Sequence, residues 1–109
     1  MKLIKINKKD YVIKFTAKAV SELNELEDIT LAGLSEDLEK MKVTRLYKAF
    51  YYGLKAMQHD ITIENAYKLI DEMFEDGMEL EEFFKIVLTE YANAMGLGKK
   101  FKEILESQN

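Results

Sequence analysis

Thr44–Gln58, TRLYKAFYYGLKAMQ, is the stretch whose reading decides the fold. Set at a helical step of about 100° per residue, it places Leu46, Phe50, Leu54 and Met57 along one broad face, widened by Tyr47 and Tyr51. The other side carries Arg45, Lys48 and Lys55, with Tyr52 among them. Between the two runs a flank of small residues, Ala49, Gly53 and Ala56, at which a neighbouring helix is expected to approach closely. The stretch reads as the core helix, and the rest of the chain has to supply what packs against it.

Upstream, residues 2–6 and 11–15 read as paired strands, because Ile4 and Ile6 alternate with Lys5, and Tyr11, Ile13 and Phe15 alternate with Val12 and Lys14. The polar run Asn7-Lys8-Lys9-Asp10 connects them into a hairpin with one apolar and one lysine-rich face. Two strands alone are marginal in water, so Ile4, Ile6, Ile13 and Phe15 must lie against helices or another chain's strand. Thr16 is placed to cap a first helix, AKAVSELNELE, whose apolar face is Ala19, Val20, Leu23 and Leu26. A break over Asp28–Gly33 follows. A short helix with Leu34, Leu38 and Met41 on one side comes next, capped by Thr30 or Ser35.

Downstream, Gln58-His59-Asp60 ends the central helix and Thr62 opens another. Its apolar set is Ile63, Ala66, Tyr67, Leu69, Ile70, Met73 and Phe74, and Gly77 is placed to terminate it. Glu79, Glu81 and Glu82 crowd the start of the next helix, where carboxylates oppose the positive end of the helix dipole. Its buried face is read as Leu80, Phe83, Phe84, Val87, Leu88, Tyr91, Ala94 and Met95. Ile86 falls outside that arc and is a candidate exposed contact. Gly96-Leu97-Gly98 interrupts the pattern. The lysine-led remainder forms a tail with a short apolar stripe of Phe101, Ile104 and Leu105, too short to be a stable helix alone. The fold expected is therefore α+β and mostly α: an N-terminal β-hairpin packed on about five short helices in a single domain over residues 1–96, with a loosely attached tail over 97–109.

The 109 residues suit one domain, and 48% hydrophobic content fills a core. The net charge of −4 argues against a general nucleic-acid binder, whose usual footprint is strongly basic. The charge is also blocked: residues 2–18 hold six lysines and one acid, whereas residues 60–90 hold ten acids and two lysines. Opposed blocks of this kind suit self-association. The first residues contain too short an apolar run for a signal peptide, and no uncharged apolar stretch of ~18 residues occurs, so the chain reads as unsecreted and not membrane-spanning.

Catalytic and metal chemistry find little to work with. There is no cysteine, the single histidine is His59, and no phosphate loop, GxSxG or HExxH motif is present. The acidic run 71–82 puts Glu72, Asp76 and Gly77 at positions one, five and six of a calcium-type loop. Phe74 and Phe83 then occupy positions three and twelve, where the ion needs oxygen. No enzyme activity, cofactor or metal is expected. The helix pair at 34–58, with Arg45, Lys48 and Lys55 outward, allows a second reading as a small DNA-binding regulator.

The order of elements carries a resemblance. A hairpin KLIKINKKDYVIKF with the pattern I-x-x-K-x-Y-x-I-x-F, a helix TAKAVSELNELE, a short acidic helix, TRLYKAFYYGLKAMQ and TIENAYKLIDEMFEDG follow one another over residues 2 to 95 or so. This resembles the small tail assembly chaperones of long-tailed bacteriophages and prophages of Gram-positive hosts. The resemblance implies a non-enzymatic protein of the bacterial cytoplasm that binds the tape measure protein, keeps it soluble until the tail tube forms around it, and is missing from the mature virion. It also implies self-association. The partner-binding surfaces expected from it are the hairpin edge and the residues Tyr47, Tyr51, Tyr52, Phe84 and Ile86, with Phe101 and Ile104 of the tail as a second contact. A structural head–tail component is the remaining alternative.

Overall fold

The hairpin turns on two residues. In the computed structural model, which describes the backbone of residues 1–107 and the side chains of residues 1–103, β1 (Lys2–Ile6) pairs antiparallel with β2 (Lys9–Ile13), Ile4 opposite Tyr11 and Ile6 opposite Lys9. Asn7 and Lys8 both have positive φ, 52° and 68°, the arrangement whose twist matches that of the flanking strands. The second strand therefore starts two residues earlier than the alternation suggested. A shift of two leaves the side-chain period unchanged, so the pattern alone could not detect it. Ile4, Ile6, Ile13 and Phe15 are all buried, as expected.

What the hairpin packs on is the central helix α3 (Thr44–Lys55), which also touches four of the other helices. Leu46, Ala49, Phe50, Gly53 and Leu54 are completely enclosed. The small-residue flank does its work against a strand, not a helix. A Cβ placed on Gly53 would come within 3.0 Å of both Ile13 Cγ2 and Phe15 Cζ. The same close approach lets the Lys14 N–H donate to the Gly53 carbonyl at 2.9 Å. Just beyond the helix, the Gln58 side chain accepts from Val12 N–H (2.8 Å) and donates to the Val12 carbonyl (3.0 Å). Met57, expected on the core face, is half exposed because α3 ends at Lys55 and the chain turns away.

Caps set most of the other boundaries. Thr16 accepts from Ala19 N–H to open α1 (Ala17–Leu26), and Thr30 accepts from Gly33 N–H to open α2 (Leu31–Lys40), inside the expected break. Asp28, with φ 54°, swings the chain inward so that Ile29, not Leu26, fills the core beyond α1. Leu26 is left exposed. Thr62 and Asn65 form a reciprocal capping box at α4 (Ile63–Glu75). Gly77 ends that helix, with φ 104°. Its N–H reaches the Phe74 carbonyl, and Met78 N–H reaches that of Met73, both at 3.0 Å. Gly96 plays the same part after α5 (Leu80–Ala94), with bonds from Gly96 to Asn93 and from Leu97 to Ala92. Met41 does so after α2, through bonds from Met41 to Leu38 and from Lys42 to Asp37.

Within α5, Ala92 and Glu90 are buried while Ala94 and Met95 are exposed, because the helix ends against the Gly96 turn before its last apolar residues reach the core. Glu90 faces the amino group of Met1. The Tyr91 hydroxyl, fully enclosed beside Phe15, donates to the Ile29 carbonyl at 3.0 Å and so ties α5 to the α1–α2 connection. The tail residues form a sixth helix, α6 (Gly98–Ser107), packed on α5. The architecture is thus α+β and mostly helical, with the hairpin laid on a helical body.

The buried carboxylate of Asp37 pins α2 to α3. Both its oxygens accept from Arg45, Nε and Nη2 each at 2.7 Å, and Nη2 also reaches the Gly33 carbonyl at 3.1 Å. Gly33 leaves room for this: a Cβ there would lie 3.1 Å from Arg45 Nη1. The hydrogen bonds from Arg45 hold the Asp37 carboxyl below its ordinary range, with burial acting in the opposite direction. A carboxyl with a depressed folded pKa contributes stability that is present above the unfolded value of about 4 and is lost as pH falls through the folded value.

Denaturant unfolding should therefore find Asp37→Asn less stable than the wild type by about 2 kcal/mol at neutral pH, a gap that closes on acidification below about pH 4. Gly53→Val should lower stability by ~2–3 kcal/mol, since neither Ile13 nor Phe15 can move away from a new side chain. Met41→Gly should raise it by about 1 kcal/mol, because the side chain is 71% exposed and only its left-handed backbone is strained.

Candidate functional site

One tyrosine of α3 reaches the surface where α3, α4 and α5 meet. Tyr47 is half-buried, its ring stacked on Phe83 (centroids 6.1 Å apart, planes at 30°) and met edge-on by Tyr67 of α4 at 6.4 Å. Phe83 itself is held edge-on by Phe50 at 5.0 Å and Phe74 at 5.9 Å. The rigid rings beneath Tyr47 fix its orientation, so its outer edge is presented without side-chain ordering on contact. Beside it opens a recess of about 380 Å³ lined by Tyr47, Phe74, Gly77, Met78, Glu79 and Leu80. Burial, reinforced by the charge of Asp71, pushes the Tyr47 hydroxyl pKa up, so this phenol is neutral and available as a hydrogen-bond donor at physiological pH.

The other expected contact residues are scattered. Tyr51 lies one turn along α3 from Tyr47 and meets Tyr52 edge-on at 5.7 Å, with Lys55 Nζ over both rings at 5.3 and 4.9 Å. Tyr52 also donates to Glu27 at 3.3 Å; burial first and that carboxylate second raise its pKa. Phe84 is wholly enclosed and offers no surface. Ile86 is half-buried against the core and not the freely exposed contact its position outside the arc suggested. Phe101 is half-buried on α6, against the end of α5. Ile104 has its backbone in α6, and its side chain lies outside the described residues.

Two residues of this surface, Tyr67 against the Tyr47 ring and Met78 in the recess wall, were not singled out by the sequence. Tyr67 counted among the apolar face of α4 yet is 42% exposed. It sits at the edge of that arc, the one hint the pattern held. Met78 belongs to the short α4–α5 connection, to which helical periodicity does not apply.

The basic side of α3 is occupied from within. Arg45 is committed to Asp37, Lys48 pairs with Glu27 at 3.3 Å, and Lys55 covers the Tyr51 and Tyr52 rings. A helix that reads DNA needs such groups free for phosphates and base edges. An open cleft of about 760 Å³ between the hairpin turn and the α3–α4 connection is lined by charges of both signs, Lys9, Asp10, Asp60, Lys68 and Glu72, together with His59. No helix among the described residues is long and apolar enough to cross a membrane.

Against this geometry, comparison with known proteins returns one finding. The model of a protein family described as phage tail assembly chaperone protein matches residues 3–106, nearly the whole length. No curated protein matches the chain, and no solved structure does.

Proposed function

We infer that this chain, which belongs to the phage tail assembly chaperone family, works by binding helical segments of a tape measure protein and holding them out of aggregation until the tail tube assembles. Copies of the chain associate as they do so. The role is non-enzymatic, is carried out in the cytoplasm of the infected cell, and ends before the virion is complete.

The observation that carries this reading is the half-exposed pair Tyr47 and Tyr67 beside the apolar recess at the α3–α4–α5 junction. An amphipathic helix lays its apolar face into such a groove, with side chains one turn apart as anchors. Glu79 lines the recess and the charge of Asp71 acts on Tyr47, both carboxylates being exposed, which favours a partner helix flanked by lysine or arginine. Tyrosine suits the task because its ring adds apolar area at little entropic cost while its hydroxyl stays hydrated or hydrogen-bonded. A DNA-binding role has no comparable support, since the cations it would need are spent on internal partners.

Co-expression with the tape measure protein of the same phage should keep that protein soluble and bring it down with this chain in a complex that survives high salt. Apolar helix-in-groove binding predicts that resistance, whereas phosphate contacts would be lost steeply. Tyr67→Ala should weaken the complex about tenfold without changing the melting temperature of the chain. A tape measure protein that precipitates while this chain elutes unchanged would remove the mechanism. Detection of the chain in purified virions would favour a structural component instead.

A further inference from the structure

The two edges of the hairpin are treated differently. Along β2 the outward backbone groups are covered by α3: Val12 is bonded on both sides by the Gln58 amide, and Lys14 N–H ends on the Gly53 carbonyl. Along β1, which touches α4, no such hydrogen bond is made among the described residues. A two-residue turn makes Ile6 and Lys9 a hydrogen-bonded pair, so Ile4–Tyr11 and Lys2–Ile13 are bonded too, and Leu3 and Lys5 direct their N–H and C=O groups away from the hairpin. Among the described residues no hydrogen bond reaches those four groups. Leu3, on the outer face, is 61% exposed.

We propose that β1 is the pairing edge for a second copy of this chain, β1 against β1, antiparallel about a two-fold axis through Ile4, giving a continuous four-stranded sheet. This register centres the five-residue strand on its own middle residue. Leu3 of each copy faces Lys5 of the other as a hydrogen-bonded pair, Ile4 faces Ile4, and Lys2 faces Ile6. All four outward groups of each strand are used. Lysines guard strand edges by repelling one another; here each lysine meets an apolar residue, whereas a shift of the axis to Lys2 or to Lys5 would set like charges opposite. The flanking charge fits as well. Lys5 borders a recess with Asp76, Met78 and Glu82, so the Lys2 arriving opposite Ile6 comes next to carboxylates. Two strands alone are below the size at which sheets are usually stable, and pairing removes the last open edge.

This specifies the surface for the self-association inferred above and involves the chain alone, so failure of a tape measure complex would leave it untouched. Sedimentation equilibrium of the full chain up to millimolar concentration should show a doubling of mass. Leu3→Pro removes an outward donor without touching the ladder inside the hairpin; it should hold the chain at single mass with an unchanged far-UV circular dichroism spectrum. The chain has no cysteine, so Ile4→Cys introduces a lone thiol at the axis. The α-carbons of a non-hydrogen-bonded antiparallel pair lie about 4.5 Å apart, within disulfide range, and mild oxidation should link two copies through that residue. A wild type that stays single at millimolar concentration overturns both the edge pairing and the self-association. A doubled mass that Leu3→Pro leaves intact, with no link formed by Ile4→Cys, overturns the edge pairing alone. Should Leu3→Pro fail to fold, the oxidation of Ile4→Cys decides: linkage supports the pairing and its absence refutes it.

Discussion

The structure depends on how closely α3 approaches β2. A two-stranded hairpin has too little surface to hold itself together and leaves two rows of polar backbone groups unmade. Here a helix takes the place of a third strand. The Gly53 carbonyl receives one outward N–H, and the Gln58 side chain, which carries both a donor and an acceptor, answers Val12 as a strand residue would. That is possible only because Gly53 lets Ile13 and Phe15 come to van der Waals contact with the helix backbone. The buried row of α3 is then fixed in rotation, and α1, α2, α4 and α5 take positions around it.

How much of this was legible in the sequence follows from how local each signal is. Thr16, Thr62 and Gly77 act on backbone groups within a few residues, and each does what its position suggested. The hairpin and its buried face came through because alternation is a strong signal over five residues. Errors gathered where a helix ends. Leu26, Met41, Met57 and Met95 continue the apolar period of their helices, yet each stands at or past the last turn, where the chain has already left the core. Periodicity cannot report where a helix stops when the terminator is Met41 or Asp28 in a left-handed conformation, since neither residue type announces it.

The proposed partner surface was less legible, for a different reason. Aromatic residues at helical spacing signal burial and contact equally, and only tertiary packing separates them. Phe84 went entirely to the core, while Tyr47 went to its border, one helical face away from Lys48. Tyr67 was hidden by its place on the edge of an apolar arc. The basic stripe on α3 was ambiguous in the same way: Arg45 reads as a surface cation until Asp37, eight residues earlier, is found folded beneath it.

Composition separates rigidity from adaptability across this molecule. The chain has six phenylalanines and six methionines. Phe15, Phe50, Phe83 and Phe84 are buried and Phe74 and Phe101 half-buried, whereas Met1, Met41, Met57 and Met95 are exposed. Rings lock into edge-on and stacked geometries and hold a core in one arrangement. Methionine is unbranched and polarizable, fits irregular surfaces and tolerates changes in what it touches. A stiff aromatic interior therefore holds one fold, while a soft, thioether-rich exterior can adjust to surfaces of different shape without disturbing the rings beneath it.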